Sequence, residues 1–263
     1  MNSNNPFEAH NIDHLSPSAI NQFIASPCHW ILKISGYRPK TTPPMMRGTI
    51  IDDAICDVLL NNYKSKLTNQ IIQKQIEAED RFNKFFLDKK DVFTEEEIEK
   101  ESQKIKDWIA QGLVFYKETL KDKPIEAQKK IEVQFDELPI PIIGYIDLCY
   151  EDHIRDIKTT GRLLKETPSN ISRQLSFYSF AEDKPAIVDF LHLTQKTNQV
   201  VSREITNVDK HIADIKEASI SMMNILSYSV DLNQVASLLF PDFDDWRWSE
   251  EDKIAAQNLW RIK

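Results

Sequence analysis

Two aspartates and a lysine carry the clearest chemical signal in the chain. Residues 144–150 and 153–161 are short apolar-rich runs with Asp147, Asp156 and Lys158 at fixed places, and the polar pair Glu151-Asp152 separates them. This is a hairpin pattern, although Glu-Asp is not the preferred turn dipeptide. A two-residue loop sets Tyr150 against His153 and Asp147 against Asp156, and a four-residue loop gives the same pairing. Side chains alternate along a strand, so Asp156 and Lys158 share a face, and Asp147 joins them. Carboxylates placed opposite each other repel. Among Ile and Leu, such a pair calls for a cation between its members. The plain alternative is the solvated face of an edge hairpin, where charges need no chemistry.

The elements that must position these residues follow from periodicity and punctuation. Residues 15–23 open a helix that Ser16 can cap, with Pro17 suited to its first position. Pro27 ends or bends it, and residues 28–35 read as a second short helix closed by Gly36. Pro43-Pro44 form a stiff lead-in to residues 45–54, the start of another helix. Its apolar face is Ile51, Ala54, Ile55, Val58 and Leu59. Asp52 sits at the border of that face and can reach a site between helix and sheet, whereas Asp53 points nearly opposite and suits a helix start. Residues 63–121 read as two or more charged helices, with a capping signature at Thr94-Glu95-Glu96-Glu97 and aromatics that pack. Strands are expected at 130–137, 139–150, 186–194 and 200–206, the last two joined by 195–199. Ser169 or Asn170 caps a helix over 171–181, residues 207–228 form an amphipathic helix, and Ser249 caps a final one. Trp246 and Trp248 have acidic neighbours, so packing is expected of them rather than stacking on bases.

Asp147, a short spacer, then Asp156-x-Lys158 resembles the PD-(D/E)XK nuclease superfamily. The wording Gly144-x-x-Asp147-Leu148 with Asp156-x-Lys158-Thr159-Thr160 is similar to its RecB-like, phage-type exonuclease branch. Three further stretches agree with that branch. Leu15-Ser16-Pro17-Ser18 is followed by Trp30-Ile31-Leu32, Gly48-Thr49 precedes Asp52 where relatives carry His or an acidic residue, and Gln174-x-x-x-Tyr178 follows the lysine. The likeness runs through roughly the whole chain in motif order, with residues 63–121 unmatched.

The resemblance implies an α/β fold of the restriction-endonuclease kind, a mixed β-sheet flanked by helices. It implies a single domain over 1–263 with a helical insertion at about 63–121. The implied activity is metal-dependent hydrolysis of DNA phosphodiester bonds, foremost as an exonuclease on linear double-stranded ends in recombination or repair. Asp147 and Asp156, with Asp52 and the backbone carbonyl of Ile157, would hold Mg²⁺ or Mn²⁺. Asp52 in place of the common His makes a harder oxygen ligand. Lys158 would orient the attacking water and stabilise charge in the transition state. Gln174 and Tyr178, on one helical face, would position a strand or support the lysine. Some relatives hold an iron–sulfur cluster through one cysteine near Cys28 and three near the C-terminus. No cysteine follows Cys149, so no cluster is expected, and Cys28 reads as a small buried residue.

Composition bounds the remaining choices. At 263 residues and 41% hydrophobic content, the chain can build one medium domain with a substantial core. No apolar run approaches the ~20 residues that span a bilayer, and residues 1–14 lack a secretory-signal pattern. Three scattered cysteines, Cys28, Cys56 and Cys149, suit a reducing, cytoplasmic setting without disulfides. A net charge of −8 argues against broad coating of nucleic acid, so DNA contact must be local. Between His14 and Ile51 there is no Asp or Glu, while Lys33, Arg38, Lys40 and Arg47 fall there. Arg47, Arg155, Arg162, Lys165 and Arg173 are the candidate phosphate contacts. The expected partners are DNA, a single-strand annealing or recombination protein, and further copies of the chain, with no membrane. Two rival readings stand beside the exonuclease. One is a structure-specific or single-strand endonuclease. The other is a noncatalytic DNA-binding module that kept the fold, which would have no use for metal-ligating carboxylates near phosphate.

Overall fold

Side-chain caps open some of the helices in the computed structural model, which describes residues 5–61, 63, 66–87, 93–162, 164–194 and 197–261. Asn5 caps α1 (Pro6–Ala9), and Ser16 caps α2 (Pro17–Ala25), its Oγ accepting from Ala19 N at 3.2 Å. Pro27 takes the first position of α3 (Pro27–Ile34), and Gly36 at φ +96° lets the chain turn away after it. α4 (Pro43–Asn61) starts earlier than expected. Pro43 and Pro44 are its first turn rather than a lead-in, because a missing N–H costs nothing there. α5 (Leu67–Phe86) is followed by α6 (Glu95–Val114), opened by the reciprocal capping box of Thr94 and Glu97. A turn of π-helix, Phe115–Leu120, continues it.

The sheet comes next. β1 (Glu126–Val133), β2 (Ile142–Cys149), β3 (Ile154–Thr160), β4 (Ala186–Leu193) and β5 (Asn198–Glu204) lie side by side in chain order. β3 and β4 run parallel, linked through α7 (Ser169–Glu182), and the other neighbours are antiparallel. The first two strands are shorter toward their connection than expected, because Gln134 turns its amide onto the carbonyls of Phe135 and Leu138 and takes that stretch out of the ladder. β5 begins before Val200, and Gln195 and Lys196 of the expected loop lie outside the described residues. α7 starts at Ser169 with Pro168 in the cap position, so neither Ser169 nor Asn170 caps it. α8 (Val208–Leu226), the unexpected short α9 (Leu232–Ala236) and α10 (Glu250–Trp260) complete the fold. Ser249 and Asp252 cap α10 reciprocally.

Helices cover both faces of the sheet, as the α/β expectation requires. Ile142, Ile146, Val188 and Phe190 meet residues of α2, α7 and α8 in one core. Leu148, Tyr150, Ile157 and Leu191 meet α4, α5 and α6 in another. A third, smaller cluster holds Cys28, Leu32, Trp248 and Ala256, where the Trp248 ring lies 3.8 Å from that of His29. Trp248 therefore packs as expected. Trp246 does not: it is 85% exposed, with the Arg247 guanidinium over its ring, while Asp245 pairs with that same arginine. Among the described residues no helix is long and apolar enough to cross a membrane.

Candidate active site

The hairpin turn at Glu151-Asp152 has the two-residue form. Tyr150 N donates to His153 O at 2.9 Å, Cys149 pairs with Ile154, and Leu148 pairs with Arg155. The next rung would join Asp147 to Asp156, and there the ladder stops. The register is the expected one, but the two aspartates are not a ladder pair. The Asp147 side chain enters the gap instead, its Oδ2 accepting from Ile157 N at 2.9 Å and its Oδ1 from Gln128 Nε2 at 3.3 Å. β1 breaks at the same level. Ala127 pairs with Leu148 and Lys129 with Ile146, but Gln128 between them stands at φ +52° and makes no rung with Asp147. Burial changes sides at this point: Ile142 and Ile146 belong to one core and Leu148 to the other. Asp147 thus lies in a split between β2 and β3, at the seam between the two faces.

Asp156 and Lys158 do share a face. Lys158 Nζ lies 2.6 Å from Asp156 Oδ2, and Asp156 is 1% exposed. The cation that the acidic pair calls for is here the chain's own lysine. Asp52 approaches from α4, and its Oδ1 is buried without a hydrogen-bond partner. The same helix touches the strand through Cys56, whose Sγ donates to the Asp147 carbonyl oxygen at 3.5 Å. Burial, then the charge of Asp147, raise the Asp52 carboxyl well above the ordinary carboxylate range. Burial, then Asp156, push Asp147 up to about 7. For Lys158, burial opposes the charged form, but Asp156 and Asp147 outweigh it and hold the proton more tightly than usual. Fully ionised, the three carboxylates would carry more negative charge than one ammonium neutralises, and without a further cation the cluster relieves that excess by holding protons on Asp52 and Asp147.

On α7, Gln174 Nε2 donates to Tyr178 OH at 2.8 Å. The residues are one turn apart and share a face, as their spacing predicts. Burial lifts the Tyr178 hydroxyl to about 12, with Asp156 and Asp147 adding to the effect, so it stays neutral beside the carboxylates. Its ring fills the space over Gly144, where an added Cβ would stand 2.5 Å from Tyr178 Cε1. Glycine at 144 is thus demanded by the close approach of the tyrosine.

Two of the candidate phosphate contacts are engaged elsewhere. Arg155 points to the opposite face from Asp156 and donates from NH1 to both oxygens of Asp189, at 2.8 and 2.9 Å. Tyr116 OH and Ser202 Oγ complete that buried network on Asp189. Arg47 is ion-paired with Glu101 and lies 4.4 Å from the Trp108 ring centre. Its burial lowers the guanidinium's pKa to about 10. Arg173 is half-buried, with Nε on Asn21 Oδ1 at 2.7 Å. Arg162 and Lys165 are exposed, in the connection from β3 to α7. Gln128, Cys56 and the fit of Gly144 to Tyr178 are parts of the site that the sequence reading does not reach. Only Gly144 carries a signal, through its fixed spacing to Asp147.

The donor chemistry suits a hard divalent cation. Carboxylate oxygens predominate, one of them is buried and unpaired, and the charge excess is what such an ion relieves. Among the described residues, no three His, Cys, Asp or Glu side chains already stand gathered as a metal-holding group. Lys158 occupies Asp156, and the Ile157 amide and Gln128 occupy Asp147.

No curated protein matches the chain. A solved structure described as "Crystal structure of SSO0001" shares 13% identity with it, covering 67% of this chain and 85% of that one at a TM-score of 0.34, a likeness too slight to add to the fold. The profile of the PD-(D/E)XK nuclease superfamily matches residues 14–224, a span that contains Asp52, Asp147, Asp156, Lys158, Gln174 and Tyr178. With the mixed sheet and its acidic split in place, that match makes the chain a member of the PD-(D/E)XK nuclease superfamily.

Proposed function

We propose that this nuclease is a RecB-like, phage-type exonuclease that degrades linear double-stranded DNA from its ends with Mg²⁺ or Mn²⁺. The observation that carries this reading is the convergence of Asp52, Asp147, Asp156 and Lys158 at the β2–β3 split. Asp147 and Asp156 would hold the ion, with Asp52 and the Ile157 carbonyl completing the protein's share. When bound, the ion supplies Lewis acidity to the phosphate and acidifies a water. Lys158 places its ammonium where charge develops on the phosphate and orients the attacking water. Tyr178 and Gln174 hold the strand or support the lysine from α7. Arg162, Lys165 and Arg173 remain as phosphate contacts, and Arg47 and Arg155 leave that set because their charges are spent inside the fold.

The end preference is supported by charge. A chain of net −8 gains little from lying along duplex DNA, since nonspecific affinity scales with phosphates neutralised. Enclosing a terminus asks for fewer such contacts. Residues 63–121 serve as an insertion in a single catalytic domain, roofing the sheet and flanking the entering strand. In a recombination or repair setting, the protein partners would be a single-strand annealing or recombination protein and further copies of the chain.

The test is incubation with Mg²⁺ of end-labelled linear duplex and of relaxed closed circles, with product sizes followed over time. Progressive shortening of the linear DNA and survival of the circles is expected. Nicking of circles at a matching rate would favour the endonuclease, and intact DNA of every form in both Mg²⁺ and Mn²⁺ would leave only the binding module.

A further inference from the structure

Gln128 lies on β1, an edge strand, and its side chain is exposed, yet its backbone stands at φ +52°. A non-glycine residue in that region is strained, and within a strand it interrupts the ladder. Burial does not account for the strain, because Gln128 is exposed. What the residue gains is contact with the site. Its Nε2 donates to Asp147 Oδ1 at 3.3 Å and lies 3.9 Å from Cys56 Sγ. Cys56 stands one helical turn beyond Asp52 on α4, and its own Sγ donates to the Asp147 carbonyl oxygen at 3.5 Å. One exposed amide therefore joins β1, the Asp147 carboxylate and the helix that carries Asp52.

We propose that Gln128 is a positioning residue, which together with the Ile157 amide fixes the plane of the Asp147 carboxylate for a divalent cation. The proposal rests on the metal-dependent reading above. A carboxylate anchored through one oxygen can still swing about its last torsion. A second N–H donor on the other oxygen locks it and leaves further lone pairs for a ligand. The strained backbone is what brings the amide to that position. A relaxed strand would alternate Gln128 onto a face of the sheet.

Glycine separates the two effects, since it accepts φ +52° without strain and lacks the amide. Gln128→Gly should melt at or above wild type in chelator. It should bind Mn²⁺ about 10–100-fold more weakly by calorimetry on the metal-free protein. Its kcat should fall while KM for duplex DNA stays near wild type. Gln128→Asn, which tolerates the left-handed region and keeps a shorter amide, should recover part of the affinity. Wild-type Mn²⁺ affinity and kcat in Gln128→Gly would overturn the proposal, as would a loss of affinity that only tracks a lower melting midpoint. If wild type itself bound no Mn²⁺, the metal reading would fall and this role with it. Equal binding by wild type and variant would remove the role of Gln128 alone.

Discussion

Asp147 Oδ2 accepts the Ile157 amide at 2.9 Å, so a candidate metal ligand also closes a gap in the sheet. β2 and β3 lose their rungs beyond Leu148 and Arg155, and this side-chain bond ties the strands where backbone bonds stop. A substitution at 147 therefore has two effects, and the choice of replacement separates them.

Asp147→Ala leaves the Ile157 N–H without an acceptor, at a cost of about 1–3 kcal/mol for a buried donor. Asp147→Asn keeps an acceptor and removes one charge from the crowded cluster. In chelator, the alanine variant should melt below wild type and the asparagine variant at or above it. Both should lose cleavage and the Mn²⁺-induced rise in Tm. Cleavage by Asp147→Asn at a wild-type rate would take this residue out of metal binding.

The metal-free fold should lose stability as pH rises. Asp147 titrates at about 7 in the fold against 3.8 when unperturbed, and Asp52 is raised in the same direction. A raised carboxyl contributes fully below its unfolded pKa, and that contribution is lost as pH rises through the folded value. Melting midpoints in chelator should therefore fall between about pH 5 and pH 8. A divalent ion competes with the same protons, so saturating Mn²⁺ should flatten the slope and Mn²⁺ binding should tighten as pH rises through about 7. A chelated midpoint that is constant or rising over this range would contradict the assignment.

Lys158→Ala should bind DNA but lose on the order of 3–4 kcal/mol of transition-state stabilisation, about a hundredfold or more in kcat. It should also melt lower in chelator, because buried Asp156 loses its cation, and Mn²⁺ should recover much of that loss. Lys158→Arg should restore cleavage poorly, since a planar fork does not replace a compact ammonium. Single-turnover rates near wild type for the alanine variant would pass the role to another residue.

Gly144→Ala drives a methyl group into the Tyr178 ring. The expected cost is about 1–3 kcal/mol of stability, as for an overpacked core, with a loss of activity as the ring and its bond from Gln174 shift. Tyr178→Phe keeps the ring and removes the hydroxyl, so its activity should fall with little change in Tm. If Tyr178→Phe were fully active while Gly144→Ala was not, the tyrosine would be filling space and nothing more.

Arg162→Ala with Lys165→Ala should weaken DNA binding and reduce the salt slope by about 2, or about one for each phosphate no longer neutralised. Arg155→Ala should instead destabilise the fold by about 3–5 kcal/mol, because it strands the Asp189 carboxylate. Filter binding across a salt series and thermal melts distinguish the two outcomes. An unchanged slope in the double variant would move the DNA path elsewhere.

The hairpin register is legible because a polar pair punctuates two apolar runs, and alternation then sets Asp156 beside Lys158. Asp52 is legible from the border of a helical face, and Ser16, Thr94 and Ser249 from the chemistry of caps. The split between β2 and β3 is not legible. It depends on a left-handed Gln128 and on a side chain bonding a backbone amide, and neither has a period or a composition. Counting charge along the chain misplaces Arg155, although alternation alone turns it away from Asp156. Arg47 is beyond such reasoning, because Glu101 and Trp108, which claim it, lie far along the chain.

α4, α5 and α6 all precede the first strand, yet their shared apolar side closes on Leu148, Tyr150, Ile157 and Leu191. Synthesis runs from the N-terminus, so these helices leave the ribosome before the strands that cover them. The sheet face that completes them exists only after β4 has been made. A nascent chain stalled before β2 would display Ile105, Ile109 and Leu113 of α6 to the chaperones that greet exposed apolar surface. Asp52, already set on its helix, would wait for two carboxylates not yet translated. The order of manufacture thus leaves the acidic cluster unassembled until β3 has been made.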